Sequence, residues 1–423
     1  MRSEKTVAVI GAGAAGLAAA IEIMRTPGAV GNGVKVILIE KLDRVGKKIL
    51  STGNGRCNLS NINASADGYF GGRALVDAAF KRFSPEETLR FFRSIGLLCS
   101  ADECGRVYPA SNTASSVLDT LRHECERLGV KTVCSSRVES ITEENGMFSV
   151  IIGTERVRAR CVILSCGGKS SPKLGSAGDG YKIVEQMGHR VTPLMPSLVQ
   201  LICTSPYLRS VKGLRFTGDA QLVANGKPVH TERGEILFAD YGLSGIAAMQ
   251  LSSHYARLSG GDRRSARVVL DFLPEYSYDG LGELLAERLY KMGYDSFGTF
   301  MTGMFHRRIF EMILKSCGLT QQNFTGAVRS GEVMDRIKRA VKHFELPIEG
   351  VRGFDSSQVT SGGAAADEFD PETLESKLCN GLYVAGELLD VDGPCGGYNL
   401  QWAWSSGRLA GRSAAERILE RRE

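Results

Sequence analysis

Apolar positions along the chain follow three rhythms. The first is an uninterrupted run, Thr6-Val7-Ala8-Val9-Ile10, followed by Gly11-Ala12-Gly13-Ala14-Ala15-Gly16 and then Leu17-Ala18-Ala19-Ala20-Ile21-Glu22-Ile23. A continuous β-branched stretch predicts a strand buried on both faces, and the alanine-rich stretch predicts a helix. A second buried strand, Val34 to Ile39, ends in Glu40, which completes a βαβ pattern. Ser84-Pro85-Glu86-Glu87 predicts a helix start with Ser84 as N-cap and Glu87 closing a capping box, with the helix ending at Gly96. Helical spacing returns from Ala114 to Leu128. Strands are predicted at Lys131 to Val133 and Arg137 to Ile141, and a hairpin from Phe148 to Val157. A further buried strand runs from Arg160 to Cys166 into Gly167-Gly168, and Tyr181 to Met187 predicts a helix closed by Gly188.

The second rhythm begins near Thr192. From Leu198 to Leu251 short alternating segments with turn signals at Asn225-Gly226 and Arg233-Gly234 predict an antiparallel β unit, joined by a strand at Arg267 to Leu273. The third occupies Gly280 to Phe344, where Leu281, Leu284, Leu285, Leu289, Ile309, Met312 and Ile313 recur with a helical period. This is a helical module inserted in the β unit. From Val351 the glycine-rich strand pattern of the first segment resumes: Gly381 to Gly386 reads as a strand, and Trp402 to Leu419 as a helix.

The order strand, Gly11-x-Gly13-x-x-Gly16, helix is the context of a dinucleotide fingerprint. Gly11 suits the tight turn, Gly13 the close approach of backbone to a pyrophosphate, and Gly16 the packing of helix on strand. Glu40, 24 residues beyond Gly16, suits the adenosine ribose hydroxyls. A ligand-free glycine turn has the first pattern but does not require the second. Lys41 to Lys48 then feed a polar loop, Ser51 to Asn61, containing Arg56-Cys57-Asn58, a cation, a thiol and an amide side by side. Near the C-terminus, Gly386-Glu387 and the run Gly396-Gly397-Tyr398-Asn399-Leu400-Gln401 lead onto a helix N-terminus, an arrangement suited to a flavin's ribityl chain and pyrimidine edge.

With 423 residues the chain is too long for one ordinary core, and 43% hydrophobic with 23% charged residues is the composition of a globular protein. The net charge of +5 suits an anionic cofactor and does not call for nucleic acid. Eleven cysteines lie scattered without a C-x-x-C pair, and the first strand begins too close to Met1 for a signal peptide. Reduced thiols, a cytoplasmic location and no membrane span are expected.

The stretches GAGAAGLAAA, STGNGRCNLSN, GRVYPASNTAS, CGGKSSPKLGSAGDGY, VTSGGAAADEFDPETLESK and GLYVAGELLDVDGPCGGYNLQWAWSSGRLAG resemble the BaiN/YhiN-type, aminoacetone-oxidase-like family of FAD-containing flavoproteins, from residue 6 to about residue 411. The resemblance implies an α/β fold: an FAD-binding Rossmann-like domain of glutathione-reductase type with an inserted antiparallel β domain carrying a helical subdomain. The corresponding boundaries are 1–192 plus 352–423, 193–276 plus 347–351, and 277–346. It further implies FAD on Gly11, Gly13, Ala14, Ala15, Gly16, Glu40, Lys41 and Lys47, with Val138 at the adenine. Arg56, Cys57, Asn58, Gly167, Gly386, Glu387, Gly397, Tyr398, Asn399 and Leu400 complete the expected cofactor set. The insert turn, commonly Phe-Thr-His-x-Gly-Leu-Ser-Gly-Pro in relatives, here reads Phe238-Ala239-Asp240-Tyr241-Gly242-Leu243-Ser244-Gly245-Ile246, so Asp240 stands in place of a histidine.

The activity so implied is hydride transfer through flavin N5 to a conjugated enone, bile-acid-like, or another small organic substrate; amine oxidation is the alternative. Tyr398, Cys57, Asp240 and Tyr241 are the candidates for the proton role. A second GxGxxG unit for a nicotinamide is lacking, so NAD(P)H is expected only as a transient co-substrate. A flavin-dependent RNA-modifying protein, suggested by the basic helical insert, and a non-catalytic flavin binder are the remote alternatives.

Overall fold

The computed structural model describes residues 5–420. It divides into two compact units, one comprising the chain up to Pro196 and from Ser357 onward, the other Ser197–Ser356. In the first unit β1 (Thr6–Ile10) leads through the glycine turn to α1 (Ala14–Arg25) and back to β2 (Lys35–Ile39). Helix α2 (Ala114–Arg127), β3 (Lys131–Val133) and β4 (Cys161–Leu164) follow. All five residues of β1 and all four of β4 are buried, the burial their uninterrupted apolar sequence anticipates.

The second unit contains β5 (Leu201–Cys203), β6 (Arg215–Ala224), β7 (Lys227–Ala239), β8 (Gly242–Ser244), α3 (Ile246–Ala256) and β9 (Arg267–Asp271). Helices α4 (Tyr278–Tyr290), α5 (Arg307–Ser316) and α6 (Gly331–Lys342) precede β10 (Phe344–Val351). The strands close into an antiparallel barrel in the order β5-β8-β7-β6-β9-β10, with β10 pairing back onto β5. Closure removes the free edges that an open antiparallel sheet would present. Its core includes Leu201, Leu222, Phe238, Val268 and Leu346. The alternating pattern expected as far as Leu251 stops at Ser244, because Ile246-Ala247-Ala248-Met249 continues as helix α3 and packs its alanines inward.

The chain then re-enters the first unit with β11 (Leu382–Val384) and α7 (Tyr398–Glu420). Its sheet is parallel in the order β11-β4-β1-β2-β3, with Ala8 paired to Ile37 on one side and to Val162 on the other. Helix α7 lies on α1: a Cβ on Gly407 would meet the Ala15 carbonyl oxygen at 2.2 Å, and one on Gly411 the Ala19 carbonyl oxygen at 2.6 Å. The contact is closed by a buried charge cluster in which Glu22 accepts from Arg408 at 2.9 Å and also engages Arg412. Ser84 caps its helix as expected, accepting from the Glu87 amide at 3.2 Å, but the Glu87 carboxylate turns to Arg90 instead of closing the box. Among the described residues no helix is long and apolar enough to cross a membrane.

Candidate functional site

The three glycines of the turn after β1 differ in what surrounds them. At Gly11 φ is +97°, and a Cβ would lie 2.6 Å from the Ser165 carbonyl oxygen, so only glycine serves there. At Gly16 a Cβ would lie 1.9 Å from the Gly11 carbonyl oxygen, which fixes glycine where the helix crosses the turn. Gly13 differs: a Cβ there would meet no atom of the protein within 4 Å. It stands at the N-cap of α1 without any side chain capping the helix, and the first intrahelical bond is Leu17 N to Gly13 O at 3.0 Å. The amides of Ala14, Ala15 and Gly16 therefore precede the helical ladder at the positive end of the helix dipole.

Glu40 is buried, 8% exposed, directly beside this turn. One carboxylate oxygen accepts from the Ala12 amide and the other from the Leu42 amide, both at 2.9 Å. The side chain is thus fixed in position, and each oxygen retains a lone pair for a ribose hydroxyl. Lys41 is engaged by Asp179, which also accepts from Arg137 at 3.0 Å. Lys47 lies 2.5 Å from the exposed Asp43. Its neighbour Lys48, which sequence reasoning passed over within the same basic stretch, reaches Glu387 at 2.8 Å; the phase of the short helix Lys47–Ser51 decides which lysine points inward. Val138 is half-buried against the same core.

The two ends of the chain converge on this turn. A Cβ on Gly386, where φ is +72°, would stand 3.0 Å from the Ala15 methyl, and Gly386 is held from the α7 side by Ser406, which accepts its amide at 2.9 Å, and by Trp402, which donates to its carbonyl at 3.0 Å. Glu387 accepts from the Thr360 amide at 2.8 Å. The Thr360 hydroxyl accepts from the Lys169 amide at 2.9 Å. The second glycine turn is thereby tied in, and Gly168 rather than Gly167 faces this pair, since a Cβ on it would come within 2.7 Å of both the Thr360 hydroxyl and the Glu387 carboxylate. Thr360 and Gly168 carried no separable sequence signal.

Around the Cys57 loop the geometry is equally tight. Cys57 has φ of +59° and no solvent exposure, and burial pushes its thiol up to about 12 against a weaker opposing hydrogen bond from Thr52. The thiol packs in the core, where burial disfavours the thiolate. Arg56 is exposed, its guanidinium 4.7 Å above the Tyr108 ring. The Asn58 amide, oriented to suit its neighbours, donates to Ser60 O at 3.1 Å and accepts from Gly397 N at 3.3 Å. A Cβ on Gly397, where φ is +101°, would lie 2.2 Å from the Ser60 carbonyl oxygen, so the C-terminal loop sits flush on the Asn58-Leu59-Ser60 backbone. Gln401 locks the contact from below by accepting from the Ser60 hydroxyl at 2.6 Å.

Helix α7 begins at Tyr398, earlier than its apolar pattern suggests, because Asn399 folds its amide back onto Gly393, accepting from the amide at 2.9 Å and donating to the carbonyl at 2.7 Å. The first intrahelical bond runs from Gln401 N to Gly397 O, so the amides of Tyr398, Asn399 and Leu400 form a second unladdered helix start. Tyr398 is half-buried, its phenol raised above its ordinary pKa by burial, and its backbone carbonyl accepts from the Tyr69 hydroxyl at 2.7 Å. Tyr69 had no signal in the sequence.

Asp240 and Tyr241 belong to the barrel unit. Asp240 is exposed at the end of β7 and paired with Lys212 at 2.5 Å, a hydrogen bond that holds its carboxyl below the usual carboxylate range. The pairing favours its carboxylate form. Tyr241 lies under Arg352, 5.0 Å from its ring.

The model of the HI0933-like protein Rossmann domain matches residues 5–413. A 3-dehydro-bile acid delta(4,6)-reductase of Clostridium scindens is 39% identical over 413 residues, covering 97% of this chain and 99% of that protein. Ribosomal RNA dihydrouridine synthases of Haemophilus influenzae and Escherichia coli are 27% and 28% identical, each match covering 94% of this chain and 95% of the relative.

Proposed function

The chain belongs to the HI0933-like family, and from that premise we propose that this FAD-dependent oxidoreductase reduces a carbon–carbon double bond conjugated to a carbonyl, in a bile-acid-like or other small organic substrate. What carries this reading is the full-length similarity to a reductase of that substrate class. An uncapped helix start beside a glycine with open space and a fixed buried carboxylate fits FAD and adds the chemical requirement.

When bound, FAD supplies hydride transfer at N5. The protein's part is to bind, orient and manage protons. The amides of Ala14 to Gly16 would donate to the pyrophosphate, and Glu40 would accept from the adenosine ribose. The amides of Tyr398 to Leu400 would favour negative charge at the pyrimidine edge of the ring. The Lys48–Glu387 pair and Gly386 would form the wall that joins the two ends of the chain at the cofactor. We assign the proton role to Tyr398, whose raised pKa keeps the phenol protonated and able to donate to the substrate α-carbon at neutral pH. NAD(P)H would reduce the flavin by transient docking.

The test is anaerobic. The flavin is reduced with NADH or NADPH and mixed with a panel of conjugated 3-oxo steroids, and its reoxidation is followed by absorbance. Reoxidation by an enone and not by its saturated counterpart is expected. No reoxidation by any enone, with reoxidation once air is admitted and turnover of amines, would establish an oxidase instead. A second reading rests on the two relatives named ribosomal RNA dihydrouridine synthases, since uridine also presents a double bond conjugated to a carbonyl. Reoxidation by unmodified ribosomal RNA, with binding that falls steeply as salt rises, would favour it.

A further inference from the structure

The barrel unit holds a cluster of side chains that the oxidoreductase reading does not use. Strand β7 and helix α3 run alongside one another, and their side chains meet in three steps. A Cβ on Gly234 would stand 3.8 Å from the Ala247 methyl, Glu232 accepts from the Gln250 amide at 3.2 Å, and the His230 and His254 rings stack at 3.7 Å with 13° between planes. Alternate strand residues, about 6.6 Å apart, thus meet helix residues three or four apart, about 4.5–6 Å along the axis. The pairing brings His230, Glu232 and His254 together, each half-buried. His230 Nε2 is already 2.8 Å from a Glu232 oxygen.

We infer that His230, Glu232 and His254 form a binding site for one divalent transition cation of the zinc type. One donor atom from each residue lies within 4.8 Å of the others. Tetrahedral donors on metal bonds of about 2.0–2.2 Å stand roughly 3.3 Å apart, so binding would draw the three donors together and turn the stacked imidazoles out of parallel. Two imidazoles and one carboxylate are the nitrogen and oxygen donors that suit zinc, and they leave a fourth position for water. Gln250, one helical turn before His254, holds the second carboxylate oxygen of Glu232 and orients the ligand, as outer-shell groups do. Arg257 is the nearby opposing charge, and its guanidinium donates to the Ser253 carbonyl at 2.7 Å. The bound ion would tie α3 to β7 on the wall of the barrel.

The test uses the FAD-loaded full-length protein after treatment with a chelator and desalting. Zinc alone is titrated by calorimetry, and cobalt alone by its d–d absorbance. Saturable binding of one ion per chain is expected, without a thiolate-to-cobalt charge-transfer band. His254→Gln and Glu232→Gln should abolish that binding at the same concentrations, and Gln250→Ala should weaken it by about 10-fold. Circular dichroism melting of each variant without metal reports whether it folds, and zinc should raise the melting temperature of the wild type alone. Absence of saturable binding overturns the inference. So does binding that persists unchanged in a folded Glu232→Gln or His254→Gln variant, which would place the ion on other residues.

Discussion

Substituting Gly13 by alanine separates the two purposes that glycines have in the turn. A methyl at Gly13 meets no protein atom within 4 Å, and the backbone there is extended, with φ −84° and ψ −161°, which alanine adopts freely. Restricting the unfolded chain gains about 0.4–1 kcal/mol, and alanine at an N-cap loses a comparable few tenths or more. The stability of the cofactor-free protein should therefore change by less than about 1 kcal/mol. Bound FAD is another matter. In the proposed placement the methyl would occupy the space through which the amides of Ala14 and Ala15 would reach the pyrophosphate. Two hydrogen bonds to a charged group, at about 1.5–3 kcal/mol each, amount to roughly 3–6 kcal/mol, a loss of affinity of at least about 100-fold. Urea unfolding of the apoprotein and quenching of FAD fluorescence on titration measure the two quantities separately. A Gly13→Ala variant that binds FAD within about threefold of wild type would refute the placement of the pyrophosphate.

Gly407→Ala should behave in the opposite way: its Cβ would lie 2.2 Å from the Ala15 carbonyl oxygen, so α7 and α1 must separate, and the apoprotein should lose about 1–3 kcal/mol in urea unfolding. Glu40→Gln presents an amide NH2 to one of two backbone donors, Ala12 N or Leu42 N; leaving one unpaired should cost about 1–3 kcal/mol, measured in the same way, and weaken FAD binding in addition. Tyr398→Phe should slow substrate-dependent flavin reoxidation while leaving flavin reduction by NAD(P)H intact, whereas Cys57→Ala should leave the pH profile of both steps unchanged because burial pushes its thiol well above the neutral range. In acid, burial raises the Glu124 carboxyl but the hydrogen bonds and charges of Arg127 and Arg25 outweigh it, so its folded pKa lies below the ordinary value of about 4.3. That contribution to stability is complete above the unfolded pKa and disappears as pH falls through the lowered folded value; Arg25→Leu should flatten the stability curve between about pH 5 and pH 3, measured by urea midpoints.

Local chemistry made much of the first unit legible. The continuous apolar run of β1, the glycine spacing and the terminal acid of β2 each act over a few residues, and the structure keeps all three in register. Helix starts were less secure: Ser84 caps as its sequence predicts, but whether Glu87 closes the box or pairs with Arg90 depends on a neighbour that the motif does not include. The same holds for Lys47 and Lys48, adjacent cations of which only one faces Glu387, 339 residues away in sequence.

By itself the sequence pointed to a dinucleotide-binding α/β pattern that breaks off near Thr192 and returns near Val351, because hydrophobic periodicity and glycine spacing are written residue by residue; the compact unit between runs from Ser197 to Ser356. Only the tertiary structure decided that the interrupting strands close into a barrel, that Cys57 is sealed in the core, and that His230, Glu232 and His254 come together. Closure is a pairing of β10 with β5 across some 150 residues, and burial and side-chain clustering depend likewise on which distant segments pack together. A thiol between an arginine and an asparagine is reactive or inert according to what covers it. That covering comes from folding, and no spacing along the chain encodes it.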